Sequence, residues 1–404
     1  MARRFSVTAV SAAVMMLCGT QAYWDQGASA AGYTLAVRTP DEIRAFYAAN
    51  PWTYDAPVFE TEPVLTAPYA AGKLSAETLE SAVNYLNLCR YAAGLPADVT
   101  ISESACEKIQ AGALVDCVND TLSHTPAQPA DMDASLFQLG YDGTSSSNLW
   151  KGAHDLPQSI AVYLCDMGES NMRIMGHRRW VLNPAMQQTG FGYAGGYTGM
   201  YALDRSRTDS FTGDYVAWPC QNMPYELYNG FSYGKHGYTF SVTLGSRYDT
   251  PSADSVQVDM TSKKTGKTLH FDKNTASAGN GLYFNVDTQY YGIPNCIIFD
   301  PGKDLFDEDD TLSVVITGIT EEGAAAEIAY DVSFFRLIEE KPVPGDINGD
   351  KKLNDNDLVQ LEYWLLGEQV NVTKTWEGAD LDGDGLLTAK DKTLMKRLML
   401  KEKI

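Results

Sequence analysis

Oxygen-bearing side chains recur at a fixed spacing in two twelve-residue stretches, 346–357 and 380–391. In the first, Asp346, Asn348, Asp350, Asn354 and Asp357 hold positions 1, 3, 5, 9 and 12; in the second, Asp380, Asp382, Asp384, Thr388 and Asp391 do. Carboxylate and carbonyl oxygens spaced in this way wrap a hard divalent cation, and position 7, here Lys352 and Leu386, adds its backbone carbonyl. Both stretches therefore read as calcium sites. Position 6 is Gly385 in the second loop but Lys351 in the first. A positive φ there costs a residue with a side chain about 1 kcal/mol, so the first site is expected to bind calcium more weakly.

The twelfth position is Asp in both loops, where an ordinary EF-hand has Glu, and no amphipathic helix precedes either loop: Val343-Pro344-Gly345 leads into one and Glu377-Gly378-Ala379 into the other. Each unit is a loop followed by one helix. Apolar spacing places those helices at 358–366 (Leu358, Leu361, Leu365) and 392–401 (Leu394, Leu398, Met399). A duplicated loop-helix of this kind resembles a type I-like dockerin over residues 344–404. The resemblance implies a small α-helical module that docks on a scaffoldin cohesin and so joins a cellulosome. Residues along the helix of each repeat, together with those at loop positions 10 and 11, choose the cohesin in that family. Here the loop residues are Asp355 and Asn356 in one repeat, Ala389 and Lys390 in the other, so the two faces are expected not to be equivalent.

A second constellation involves histidine, of which the chain has five. His124 follows Ser123, and His177 lies in Gly176-His177-Arg178-Arg179-Trp180, both in polar, loop-rich stretches. Imidazoles so placed could bind zinc, which usually takes three or four protein ligands, or could move a proton, which needs a positioned carboxylate. Ser147 is a candidate nucleophile, although the run Ser145-Ser146-Ser147 lacks the glycines of a nucleophile elbow. A hydrogen-bonded structural pair is the other role open to His124 and His177, and no residue is assigned as catalytic. Arg178 and Arg179 read as structural, one tied to carboxylates and one solvated. His154, His236 and His270 read as surface residues.

The elements that would position these groups are helical. Ser75 can cap a helix with Leu79, Ala82, Val83, Leu86 and Cys89 on its apolar face, ending near Gly94 with Pro96 beyond. A second helix starts near Ser102, and a third runs over 156–166. The motifs Asn87-Leu88-Cys89-Arg90, Ala93-Gly94-Leu95, Ser123-His124, Asn148-Leu149, Gly176-His177-Arg178 and Gly190-Phe191-Gly192, in that order, resemble the CAP superfamily over 74–205. That superfamily comprises the cysteine-rich secretory and pathogenesis-related proteins and their bacterial SCP-like relatives. The resemblance implies an α-β-α sandwich with a cleft lined by two histidines, here His124 and His177, and two acids. Its histidines sometimes hold a divalent metal. The family's Glu-Asn pair is Ser147-Asn148 in this chain, so the first acid is missing; the second implied acid is Asp166 or Glu169, and spacing does not choose between them.

From about Val216 the apolar period changes to two. Phe240, Val242 and Leu244 alternate with polar residues, as do Val258 and Met260, Leu282, Phe284 and Val286, Leu312, Val314 and Ile316, and Ile328, Tyr330, Val332 and Phe334. Short strands between turns suggest an immunoglobulin-like β-sandwich, in which Cys220 and Cys296 could pair and Tyr290 and Tyr291 could stack on carbohydrate.

Arg3 and Arg4 before an apolar run over 7–17 read as a secretory signal peptide. The chain carries 31 Lys and Arg against 52 Asp and Glu, a net charge of -21. That balance disfavours nucleic acid and anionic membranes as partners. The expected organisation is a multidomain one: signal peptide 1–30, N-terminal arm 31–74, CAP domain 75–215, β-sandwich 216–338, linker 339–345 and dockerin 346–404. The expected function is a secreted, extracellular cellulosome or cell-surface component, without a membrane anchor, that docks on cohesin and displays a CAP cleft for a peptide, lipid or carbohydrate. The alternative is a cellulosomal hydrolase, acting on peptide or polysaccharide, with a metal-activated water at His124 and His177.

Overall fold

The computed structural model describes residues 36–166, 168–208, 214–228, 239–275, 281–302, 309–338, 343–348, 352–368 and 376–401. The signal peptide, His236, Asp350 and residues 339–342 of the expected linker lie outside the described residues. The chain divides into two compact units, Met1–Leu337 and Ile338–Ile404.

The first unit opens with helix α1 (Pro40–Ala49), strands β1 (Phe59–Thr61) and β2 (Lys73–Leu74), helix α2 (Ala76–Ala92), strand β3 (Thr100–Ile101), and helices α3 (Glu103–Val118) and α4 (Ala134–Thr144). Strand β4 (Ser147–Lys151) and helices α5 (Leu156–Cys165), α6 (Glu169–Met172) and α7 (Gly176–Val181) follow, then strands β5 (Gln188–Thr189), β6 (Phe191–Ala194) and β7 (Tyr197–Tyr201). Each longer helix starts where a short polar side chain takes up a free backbone N–H. Thr39 forms a capping box with Glu42, and Ser75, Ser102, Asp133 and Asp155 accept from the first turns of α2, α3, α4 and α5. Strands β4, β7 and β6 make an antiparallel sheet, and β3 pairs with β5 in parallel. Helix α3 packs on that sheet and on α4. The arm is folded from residue 36 onward, with α1 packed on α2 and Phe46 stacked on Tyr91 at 4.3 Å between ring centroids.

Strands β8 (Tyr215–Trp218) and β9 (Asn222–Pro224), helix α8 (Tyr225–Tyr228), and strands β10 (Phe240–Leu244), β11 (Gln257–Ser262), β12 (Thr268–Phe271), β13 (Tyr283–Asp287), β14 (Cys296–Asp300), β15 (Thr311–Glu321) and β16 (Ala324–Phe335) complete the unit. They form two sheets, ordered β13-β14-β10-β8 and β12-β11-β15-β16-β9, antiparallel except for β16 with β9. Period-two patterning marks β11, β15 and β16, each with one buried and one open face. Strand β14 shows no alternation because all five of its residues are buried, and the sequence pattern passes over it. A continuous cluster of buried side chains joins Leu86 and Ile160 of the helical part to Trp218, Phe240, Val258, Phe299 and Val314 of the sheets.

The six cysteines among the described residues are all free, which corrects the expected Cys220–Cys296 pair. Cys220 packs in the main core, whereas Cys296 belongs to a separate cluster with Met172, Met175 and Ile298. Burial pushes the Cys220 thiol up to about 12, so it stays protonated and unreactive.

The second unit holds helices α9 (Asp355–Leu365), α10 (Trp376–Ala379) and α11 (Ala389–Lys401). Its core is built symmetrically from the two repeats: Ile347, Leu361, Ala379 and Met395 are fully buried, and Leu353, Leu358, Leu381, Leu387 and Met399 pack around them. Helices α9 and α11 both start three residues earlier than their apolar spacing suggests. The reason is capping: Asn354 accepts from the Asn356 N–H at 2.8 Å, and the Thr388 hydroxyl accepts from the Lys390 N–H at 3.1 Å.

Candidate functional site

His177 sits near the start of the short helix α7, and Asp166 ends α5 in a left-handed conformation with φ 53°. Among non-glycine residues, Asp and Asn tolerate that conformation best, and here it turns the carboxylate back toward α7. His177 Nδ1 lies 2.6 Å from Asp166 Oδ1, and the backbone N–H of Arg178 donates to the other carboxylate oxygen at 3.2 Å. Asn148 on β4 donates its amide to the His177 carbonyl at 3.0 Å. His124 lies in the connection between α3 and α4, where its Nδ1 donates to the carbonyl of Thr144 at 2.8 Å. In both rings the partner assigns the hydrogen to Nδ1, so in the neutral forms Nε2 keeps the lone pair.

Both histidines line one cleft of about 270 Å³. Asp166, Asn171 and Ser123 complete its polar side, and Leu122, Leu149, Trp150, Val162 and Tyr163 form an apolar wall. Burial alone would depress the His177 imidazole, but the Asp166 charge and hydrogen bond outweigh it and hold the group above its ordinary value. Ser147 is not part of the lining. Its hydroxyl donates to the Gly143 carbonyl at 2.5 Å, and the residue is 7% exposed. Glu169 opens α6, and its side chain lies outside the described residues.

Among the described residues, the three-member group of acidic, histidine or cysteine ligand atoms within 4.8 Å of one another is Asp380, Asp382 and Asp384, and His124, His177 and Asp166 form no such group.

Arg178 and Arg179 depart from expectation, since neither is solvated and each is 1% exposed. Arg178 donates to the Leu164 carbonyl at 2.5 Å, the Thr239 carbonyl at 2.7 Å and the Ser241 hydroxyl at 2.9 Å. Arg179 pairs with Asp287 at 2.7 Å and donates to the Ile293 carbonyl. A buried guanidinium must find such partners, and here the sheets supply them, which pins the helix carrying His177. His154 and His270 are exposed, as expected.

Sequence reasoning missed Asp116 on α3. It is 1% exposed; one carboxylate oxygen accepts from the Ser123 N–H at 3.3 Å, and the other has no hydrogen-bond partner among the described residues. Burial pushes its carboxyl up to about 7. The signal was legible in principle: one acid inside the run Ala113-Leu114-Val115-Asp116-Cys117-Val118.

The second unit carries the calcium-loop residues. Asp357 and Asp391, at position 12, are both fully buried. Asp357 accepts from the N–H groups of Ile347, Asn348 and Asn354, and Asp391 from those of Leu381 and Thr388. In the second loop Asp380 accepts from Gly383, Asp384 and Gly385, and Asp384 from Leu386, so the backbone folds around the carboxylates. Gly385 has φ 83°, the conformation its position requires. Asp380, Asp382 and Asp384 converge with Lys390 on Asp382 at 2.5 Å. Three converging carboxylates beside one lysine suit a divalent cation. Residues 344–400 match the type I dockerin domain.

Type I dockerins bind calcium, in agreement with the converging carboxylates, and the match supports cohesin docking in a cellulosome-type complex. Within the dockerin, Asp355, Asn356, Ala389 and Lys390 are all exposed. Comparison of the chain with curated proteins and with solved structures found no match. Among the described residues, no helix is long and apolar enough to cross a membrane.

Proposed function

We propose that this protein is a secreted component of a cellulosome-type complex. Its dockerin, loaded with two calcium ions, docks on a scaffoldin cohesin. The remainder of the chain, a CAP-like domain over 75–215 and an Ig-like sandwich over 216–338, is the cargo. The observation that carries this reading is the dockerin match over two tandem ligand sets, Asp346 to Asp357 and Asp380 to Asp391. The cargo presents the cleft of His124, His177 and Asp166, whose polar and apolar sides suit a small amphipathic ligand: a peptide end, a lipid or a sugar. Support for the CAP-like assignment is the order of six motifs and the convergence of both histidines and one acid on one cleft. The test is calorimetry of the full chain against a panel of cohesins, with and without chelator. Tight calcium-dependent binding, weakened by Asp346→Ala and Asp380→Ala, is the expected result; calcium uptake without binding to any cohesin overturns it.

A hydrolase reading is favoured by one observation, the Asp166–His177 pair. An orienting carboxylate on Nδ1 leaves the neutral ring's Nε2 to accept a proton from water. Hydrolysis of peptide or polysaccharide panels that is lost in His177→Ala would establish it, and inactivity of the calcium-loaded chain on both panels removes it.

A further inference from the structure

The two repeats of the dockerin superimpose in sequence so that Asp346 answers to Asp380, Leu361 to Met395 and Asp357 to Asp391, and each member of the last two pairs is fully buried. The inward faces are therefore equivalent, but the outward faces are not. On α9, Val359, Tyr363 and Leu366 follow one another at helical spacing and are 44%, 45% and 76% exposed. Their counterparts along α11 are Thr393, Arg397 and Leu400, and Glu362 answers to Lys396. The first face is apolar throughout, whereas the second is mixed, with Thr393, Lys396 and Arg397 beside the exposed Leu400.

We propose that the dockerin engages its cohesin through the first repeat alone, with Val359, Tyr363 and Leu366 as the central contact. This rests on the docking reading above, which supplies the partner. Three further observations favour α9. Exposed large apolar side chains in one stripe are the mark of a contact surface, and buried tyrosine is a frequent anchor of one. Glu362 beside the stripe is already engaged by Lys392 at 2.8 Å and Lys396 at 3.9 Å, which lowers the charge to be desolvated on docking. In the second repeat Lys390 is held by Asp382 at 2.5 Å, so its charge is committed to the calcium loop. The matching cohesin surface is an apolar patch of low net charge.

The experiment is calorimetry of the full, calcium-loaded chain with a cohesin that binds it. It compares the double variants Val359→Ser with Tyr363→Ser and Lys396→Glu with Arg397→Glu, and all four substituted residues are exposed. Calcium uptake and melting of each variant serve as the folding control. The α9 variant is expected to lose about 100-fold or more in affinity and the α11 variant less than about threefold. Raising salt from low to high is expected to change wild-type affinity by less than about fivefold, since an apolar contact is little screened. Loss confined to the α11 variant, equal losses in both, or a steep salt dependence would overturn the inference while leaving docking intact. A wild-type chain that binds no cohesin overturns the docking reading and this inference with it.

Discussion

A carboxyl group buried without a charged partner among the described residues holds the backbone of Ser123, a residue of the cleft. Asp116 touches the Ser123 N–H and leaves one oxygen unsatisfied, and its carboxyl is pushed up to about 7 from the usual value of 3.8. The folded state thus holds a proton that the unfolded chain has already released. Stability falls as pH rises from about 4 to about 7 and then levels off. Asp116→Asn keeps the acceptor and removes the charge. The variant is expected to match wild type near pH 4 and to exceed it above pH 7 by a few kcal/mol, with a ceiling of about 4 kcal/mol from a shift of about three units at about 1.4 kcal/mol each; thermal melts across that range are the check. His177 has the same sign, in a higher pH window. Its raised value adds stability below the ordinary histidine range that is lost as pH rises through the folded value. Asp166→Asn is expected to drop the His177 titration below its wild-type midpoint, because burial then acts alone, and an NMR titration of the ring protons reads it directly.

At the scale of elements, two close packings decide where the cleft residues stand. Helices α3 and α4 approach through glycine: a Cβ at Gly143 would collide with the Lys108 carbonyl, and one at Gly140 with Val115 and the Ala111 carbonyl. The next residue, Thr144, is the one whose carbonyl holds His124. Gly143→Val is therefore expected to destabilise the first unit by about 1–3 kcal/mol, in the range of overpacking, and to shift the His124 ring resonances in the same protein. The second packing is that of α7 on the sheets, through Arg178 to β10 and Arg179 to β13. His177 is thereby positioned by strands far along the chain, Ser241 lying 63 residues beyond Arg178.

For the whole molecule, the two compact units depend on different physics. The larger one rests on a continuous apolar core. The smaller one has four fully buried residues at its centre and surrounds converging carboxylates, whose mutual repulsion calcium would relieve. Ligand that binds only the folded state adds about 2.7 kcal/mol at a hundredfold excess over Kd. Chelator is expected to lower the melting transition of the dockerin and to leave that of the larger unit unchanged, and calorimetric scans with and without calcium separate the two.

Much of this was written locally in the chain. Ligand spacing at 346–357 and 380–391, the helix caps Ser75 and Ser102, and the alternation of β15 and β16 are decided by neighbours a few residues apart, so a reading of order and period recovers them. The choice of Asp166 as the carboxylate on His177, the burial of both arginines, the free state of Cys220 and Cys296, and the wholly buried β14 depend on partners brought from distant parts of the chain. No spacing encodes those partners. Packing decided them, because a buried charge or thiol takes its character from whatever the fold places within a few ångströms of it.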